Sequence, residues 1–174
     1  LVTLSREVGS VALSSPVAAP YGVFFWHDEQ GLYAYNGESF VYLFDKIMPA
    51  LEDNRIRFNS APQLAWFRNR LYISLDWTDD GGAIVRRCLV YDPTLGQQGS
   101  FVMNDIDADP LHVHSPPSEA PILLAACSNA ANLGRVVKVE QDRYTDNYSG
   151  VINTAIASYF TTPWLSGKNP IVRK

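Results

Sequence analysis

The stretch GVFFWHDEQGLYAYNG, residues 22–37, sets two apolar and aromatic runs on either side of a short acidic turn that closes in glycine. Val23-Phe24-Phe25-Trp26 and Leu32-Tyr33-Ala34-Tyr35 are rich in the residue types that favour strands. Between them, Gly31 can take the positive φ of a tight turn at no steric cost. His27-Asp28-Glu29 has the ingredients of acid/base chemistry, a histidine beside two carboxylates. The flanking pattern reads it instead as the exposed tip of a β-hairpin.

Working outward, the same alternation of strand-like runs and turn residues continues. Val2 to Glu7 and Val11 to Leu13 read as strands ahead of a Ser/Pro/Ala connector, and Phe40 to Phe44 as another. In DKIMPAL, Asp45 can cap one helical turn carrying Ile47, Met48 and Leu51, with Pro49 tolerated in the first turn. No long amphipathic helix follows. QLAWFRN, RLYISLDW, the turn TDDGG and AIVRRCLVYDP form a β-meander, and PILLAACS, NAANLG and RVVKVEQD a looser one, before VINTAIASYFTT.

Tyr35-Asn36, Tyr91-Asp92 and Val139-Glu140 each close the last strand of a hairpin, at spacings of 56 and 48 positions. A period near 50 residues (roughly, for propeller blades of about four short strands each) points to an all-β, β-propeller-like array of antiparallel blades. The expected units are approximately 1–60, 61–110 and 111–174 of a single all-β region, itself part of a larger propeller. Radial packing of twisted sheets covers their apolar faces and keeps their edges short. Three units do not close a ring, so further blades or strands from elsewhere complete it; a β-sandwich is the rival architecture.

Composition excludes several classes of function. The chain has 174 residues, 47% hydrophobic and 18% charged, with a net charge of −4, so it can bury a sizeable core and presents no field that draws nucleic acid or an anionic membrane. No apolar run approaches the roughly 20 residues of a membrane span. The opening LVTLSREVGS lacks an initiator Met and a secretory layout, as expected of a piece of a longer chain. Cys88 and Cys127, each inside a strand-like run, read as small buried apolar side chains.

The chemical candidates fail on pattern. Asp105, Asp107 and Asp109 alternate as the first ligands of a calcium loop, but Pro110 stands where the loop needs glycine and Pro116 where it needs a bidentate Glu. His112 and His114 share a strand face without further ligands at a conventional zinc spacing. No serine sits in a strand–turn–helix elbow, and GQQGS at 96–100 falls in a loop. Asp28, Glu29, Asp79 and Asp80 stand at turn tips, where carboxylates serve turn geometry. No catalytic, cofactor-binding or metal-binding residue is therefore assigned, and no enzyme is expected. The four Trp residues, Trp26, Trp66, Trp77 and Trp164, are expected to pack between blades, with Trp164 anchoring the TTPWLSGKNPIVRK tail of Thr161 to Lys174 on a neighbouring blade or subunit.

The order of Gly31 to Gly37, Asp45 to Leu51, the AWFRNRLYISL hairpin, Leu89 to Pro93 and Thr162 to Lys174 resembles the β-propeller structural proteins of tailed bacteriophage virions, found in the tail tube, nozzle or neck. The resemblance implies a structural component of a phage tail or head-to-tail connection. It implies a ring-shaped homo-oligomer around the DNA conduit, other tail or neck proteins as partners, and DNA passing the lumen without specific binding. The chain stops at Arg173-Lys174, where such proteins usually continue into further strands. The alternative is a propeller-type domain that binds a carbohydrate or host receptor, or hydrolyses a substrate.

Overall fold

The computed structural model describes residues 16–27, 29–44, 55–57, 62–95, 100–104, 109–126, 134, 136–139, 145–146 and 154–155. The expectations for residues 2–13, Asp28, Asp45 to Leu51, Asp105, Asp107, Cys127 and the Trp164 tail lie outside them. Two compact units divide the chain, Leu1–Glu140 and Gln141–Lys174. In the second unit, the described residues form a short antiparallel ladder of Thr145–Asp146 with Thr154–Ala155.

Among its described residues the first unit is all-β apart from a 3-10 turn at Pro93–Leu95, with three antiparallel sheets in chain order. Sheet A is the meander β1 (Val17–Ala19), β2 (Gly22–His27), β3 (Gly31–Tyr35) and β4 (Phe40–Tyr42). Sheet B contains β5 (Ile56–Arg57), β6 (Gln63–Phe67), β7 (Arg70–Thr78), β8 (Ile84–Asp92) and β9 (Ser100–Asn104). Sheet C is β10 (Leu111–His114), β11 (Ile122–Ala126) and β12 (Val136–Val139). The expected strand ends hold: Tyr35 closes β3, Tyr91-Asp92 closes β8 and Val139 closes β12.

β5, just before the approximate boundary at residue 60, belongs to sheet B, because Ile56 pairs with Trp77 and Arg57 with Asp76. The cause is strand length. β7 has 9 residues and β6 only 5, so β6 covers the half of the β7 edge from Arg70 to Ser74 and β5 covers part of what remains. The third expected unit is likewise divided, with sheet C in Leu1–Glu140 and the Thr145 ladder in Gln141–Lys174.

Side-chain alternation then dictates the layering. Phe24, Trp26, Leu32 and Ala34 share one face of sheet A and pack with Leu64, Leu71, Ile73, Leu75, Leu89 and Tyr91 of sheet B. The intervening residues of sheet B, Ala65, Phe67, Tyr72, Cys88 and Val90, face the other way and pack with Leu111, Leu123, Ala125 and Val139 of sheet C. Sheet B is therefore apolar on both faces and buried between its neighbours. Between the sheets, β1 lies beside β6 and β6 beside β10. The described sheets form an open stack.

Candidate functional site

The stretch 22–37 folds as the hairpin its pattern implies, with Trp26 opposite Leu32 and His27 opposite Gly31. Its tip is less detached than expected. His27 is the last residue of β2 and half-buried; its Nδ1 accepts the Glu29 backbone N–H at 3.2 Å and its ring lies 6.0 Å from that of Tyr33. The imidazole thus serves the turn.

The other candidates disperse in the same way. Asp79 Oδ1 accepts the backbone N–H groups of Gly81 (2.9 Å) and Ala83 (2.8 Å), closing the β7–β8 turn, and Asp80 pairs with Arg55 at 2.7 Å in solvent. Such local carboxylate–backbone bonds are the ordinary chemistry of turns. Asp92 accepts the Thr94 hydroxyl (2.6 Å) and backbone N–H (2.9 Å) and faces Arg70, and these contacts hold its carboxyl below the usual range. His112 and His114 are exposed on one face of β10, while Asp109 turns toward Arg86 of sheet B. Among the described residues, no group of three His, Cys, Asp or Glu side chains converges as a metal would require. Cys88 is buried as expected, and burial pushes its thiol up to about 12.

Two features escaped the sequence. Arg86 projects from the sheet C side of β8 with only 8% of its side chain exposed. Its Nε donates to Ser74 Oγ at 2.9 Å, Nη1 to Asp76 at 2.8 Å, and Nη2 lies 3.5 Å from Asp109, which begins the segment leading into β10. Ser74 is fully buried, so this guanidinium satisfies a hydroxyl removed from water and ties sheet B to sheet C. Asp109 is itself fixed on sheet C, because its N–H donates to Ala126 O at 2.8 Å. Cross-strand register was the missing signal: only the pairing of Ser74 with Cys88 and Asp76 with Arg86 puts these groups on one face.

The second feature is the outer face of sheet A. Register places Val23, Phe25, Tyr33, Tyr35 and Phe40 on the side away from sheet B's main core, whereas Tyr42 at the edge packs against that core. Phe25 and Tyr33 stack at 5.9 Å and 15°, Phe40 meets Phe25 edge-on at 5.9 Å, and Tyr35 lies 4.9 Å from Phe40. Local bonds hold the phenols: Tyr35 Oη donates to Gly37 O at 2.7 Å, and Tyr33 Oη donates to Gln30 in the preceding turn. The result is an aromatic cluster ordered by its own ring contacts, with Phe25 buried within it. No helix among the described residues is long and apolar enough to cross a membrane. No family model matches this chain, and no curated protein or solved structure matches it significantly.

Proposed function

We propose that this chain is a structural component of a bacteriophage tail or head-to-tail connection, assembling as a ring around the DNA conduit. The observation that carries the reading is the face-to-face succession of three antiparallel sheets in chain order, with β6 of sheet B drawn beside β1 of sheet A and β10 of sheet C. Sheets that approach at one strand and stack through both faces are the packing unit of a β-propeller. On this reading A, B and C are consecutive blades of a propeller-like array. A propeller scaffold serves many functions, so the virion assignment rests on the resemblance of the GLYAYNG, AWFRNRLYISL and LVYDP segments and their order.

The chemistry of the described residues fits a scaffold. Its carboxylates at Asp79, Asp80 and Asp92 are engaged in turns or ion pairs. The net charge of −4 suits a lumen past which DNA slides, since holding the phosphate backbone takes clustered Lys and Arg. Neighbouring tail or neck proteins are the expected partners, and the virion is the expected location.

Electron micrographs and light scattering of the purified full chain test this. Annular particles containing several copies and a central channel are expected. A monomer at micromolar concentration whose melting temperature rises with added oligosaccharide would favour the carbohydrate-binding alternative.

A further inference from the structure

We propose that sheet C is a flap, latched to sheet B through Arg86 and Asp109, which opens as a unit while the A–B core stays folded and uncovers the second apolar face of sheet B. The inference concerns packing alone and stands apart from the virion reading.

Sheet C satisfies its backbone within itself. β11 pairs with β10 on one side and β12 on the other, the Asp109 N–H donates to Ala126 O at 2.8 Å, and the Ala126 N–H donates to Pro110 O at 3.1 Å. Sheets B and C are separate ladders, so among the described residues no strand pairing is broken when C lifts away. Stranding backbone groups is a main cost of partial unfolding, and this opening avoids it.

The apolar contacts holding C are smaller than those holding A. Sheet A gives the A–B core Phe24, Trp26 and Leu32, and Phe44 just beyond β4 joins them. Sheet C gives its contact with B Leu111, Leu123, Ala125 and Val139. An aromatic side chain buries roughly 150–250 Å², and the gain from burial follows the area, so three aromatic rings outweigh a set of aliphatic side chains that includes an alanine. The weaker interface lies on the C side, and the element it holds is the first to open.

The polar latch releases without stranding a charge. When C departs, Arg86 keeps Ser74 Oγ (2.9 Å) and Asp76 (2.8 Å), both on β7 of its own sheet. Of these three contacts it loses the one at 3.5 Å to Asp109, a carboxylate already 39% exposed. Breaking an ion pair is costly when it leaves one partner buried and alone, and here neither is.

Cys88 reports the opening. It is fully buried in the B–C contact, and its thiol, pushed up to about 12, is protonated at neutral pH while C is in place. Alkylation needs an accessible thiolate, so the reaction at Cys88 reads the open form.

The test is the rate of Cys88 alkylation by iodoacetamide in full-length Cys127→Ser protein across sub-denaturing urea, with amide exchange of β10, β11 and β12 followed in parallel. A urea dependence well below that of global unfolding is expected, since the slope scales with the surface exposed, and the three strands should share one opening free energy. Asp109→Asn should speed alkylation about two- to fivefold by removing a partly exposed ion pair. Val139→Ala should speed it about tenfold through the loss of two buried methyl groups. Alkylation with the full urea dependence of global unfolding would overturn the proposal, because sheet C then leaves only when everything unfolds. A shallow dependence that neither variant changes would overturn it as well, because Cys88 is then reached by a local fluctuation with C in place.

Discussion

A β-carbon placed on Gly31 would lie 2.5 Å from Cδ1 of Phe44, a fully buried ring that packs edge-on against Trp26 at 5.0 Å. Gly31 also has φ +87°, a region that side chains other than glycine enter at a cost. The hairpin and the A–B core therefore meet at one atom's width.

Gly31→Ala should destabilise the first unit by about 2–4 kcal/mol, adding left-handed backbone strain to an overpacked aromatic contact. Urea unfolding followed by tryptophan fluorescence measures it. A loss under about 0.5 kcal/mol, the level of an indifferent surface change, would mean that Phe44 moves aside freely.

Arg86→Met should cost about 2–4 kcal/mol, somewhat below the full penalty for breaking a wholly buried pair, because Asp76 and Asp109 remain 29% and 39% exposed. Arg86→Lys should recover little of that loss. One ammonium cannot reach Ser74, Asp76 and Asp109 from a planar fork's three directions. Full stability in the lysine variant would show that only the charge matters.

The hairpin over 22–37 was readable because two β-prone runs flank a glycine, and the strand ends at Tyr35, Tyr91 and Val139 because turn residues follow them. What could not be read is lateral. Phe24 and Phe25 are chemically alike, yet one faces sheet B and the other the aromatic outer face, and that choice depends on which residue stands across the ladder. The pairing of Ile56 was hidden for a related reason: a two-residue strand has no pattern of its own and is recruited by the uncovered edge of β7. Nothing within RRCLVY sets Arg86 apart from Arg87. The burial of Arg86 follows from Ser74 and Asp76 lying opposite, information held twelve and ten positions away.

The β6–β7 connection offers a gain in stability. Arg68 and Asn69 form a two-residue turn between the paired Phe67 and Arg70, with φ +48° and +61°. Two positive φ values in succession fit a type I′ turn, for which Asn-Gly is the favoured pair. Asn69→Gly should raise stability by about 0.5 kcal/mol, net of glycine's greater freedom when unfolded. The Arg68 guanidinium lies 5.2 Å from the Phe67 ring centre, so Arg68→Gly should gain less, losing that contact. Equal gains from both would argue that the cation adds nothing.

Alkaline pH should weaken the packing on both faces of sheet B, through Cys88 on the sheet C side and Tyr91 on the sheet A side. Burial raises the Cys88 thiol from its ordinary 9.0 to about 12, against smaller opposing effects of an Ile73 backbone hydrogen bond and the Arg86 charge. Burial, reinforced by the Asp92 charge, also raises the Tyr91 phenol above its ordinary 10.0. Below the unfolded values both states keep these protons, and the stabilisation is fully present. As pH climbs from 9 toward 12, the unfolded chain releases the thiol proton while the folded chain retains it, so stability falls by up to about 1.4 kcal/mol per pH unit from this one group. Tyr91 adds a loss of the same sign as pH approaches and passes 10. Cys88→Ala removes the thiol contribution and should lessen the decline between pH 9 and 10, leaving the part that comes from Tyr91, whose unfolded phenol is about half ionised by pH 10. Its own stability at pH 7 should drop by about 1 kcal/mol for the lost sulfur contacts. Equilibrium unfolding of both proteins in steps from pH 8 to 11 gives the two slopes, and identical slopes would show that Cys88 ionises as readily in the folded protein as in the unfolded chain.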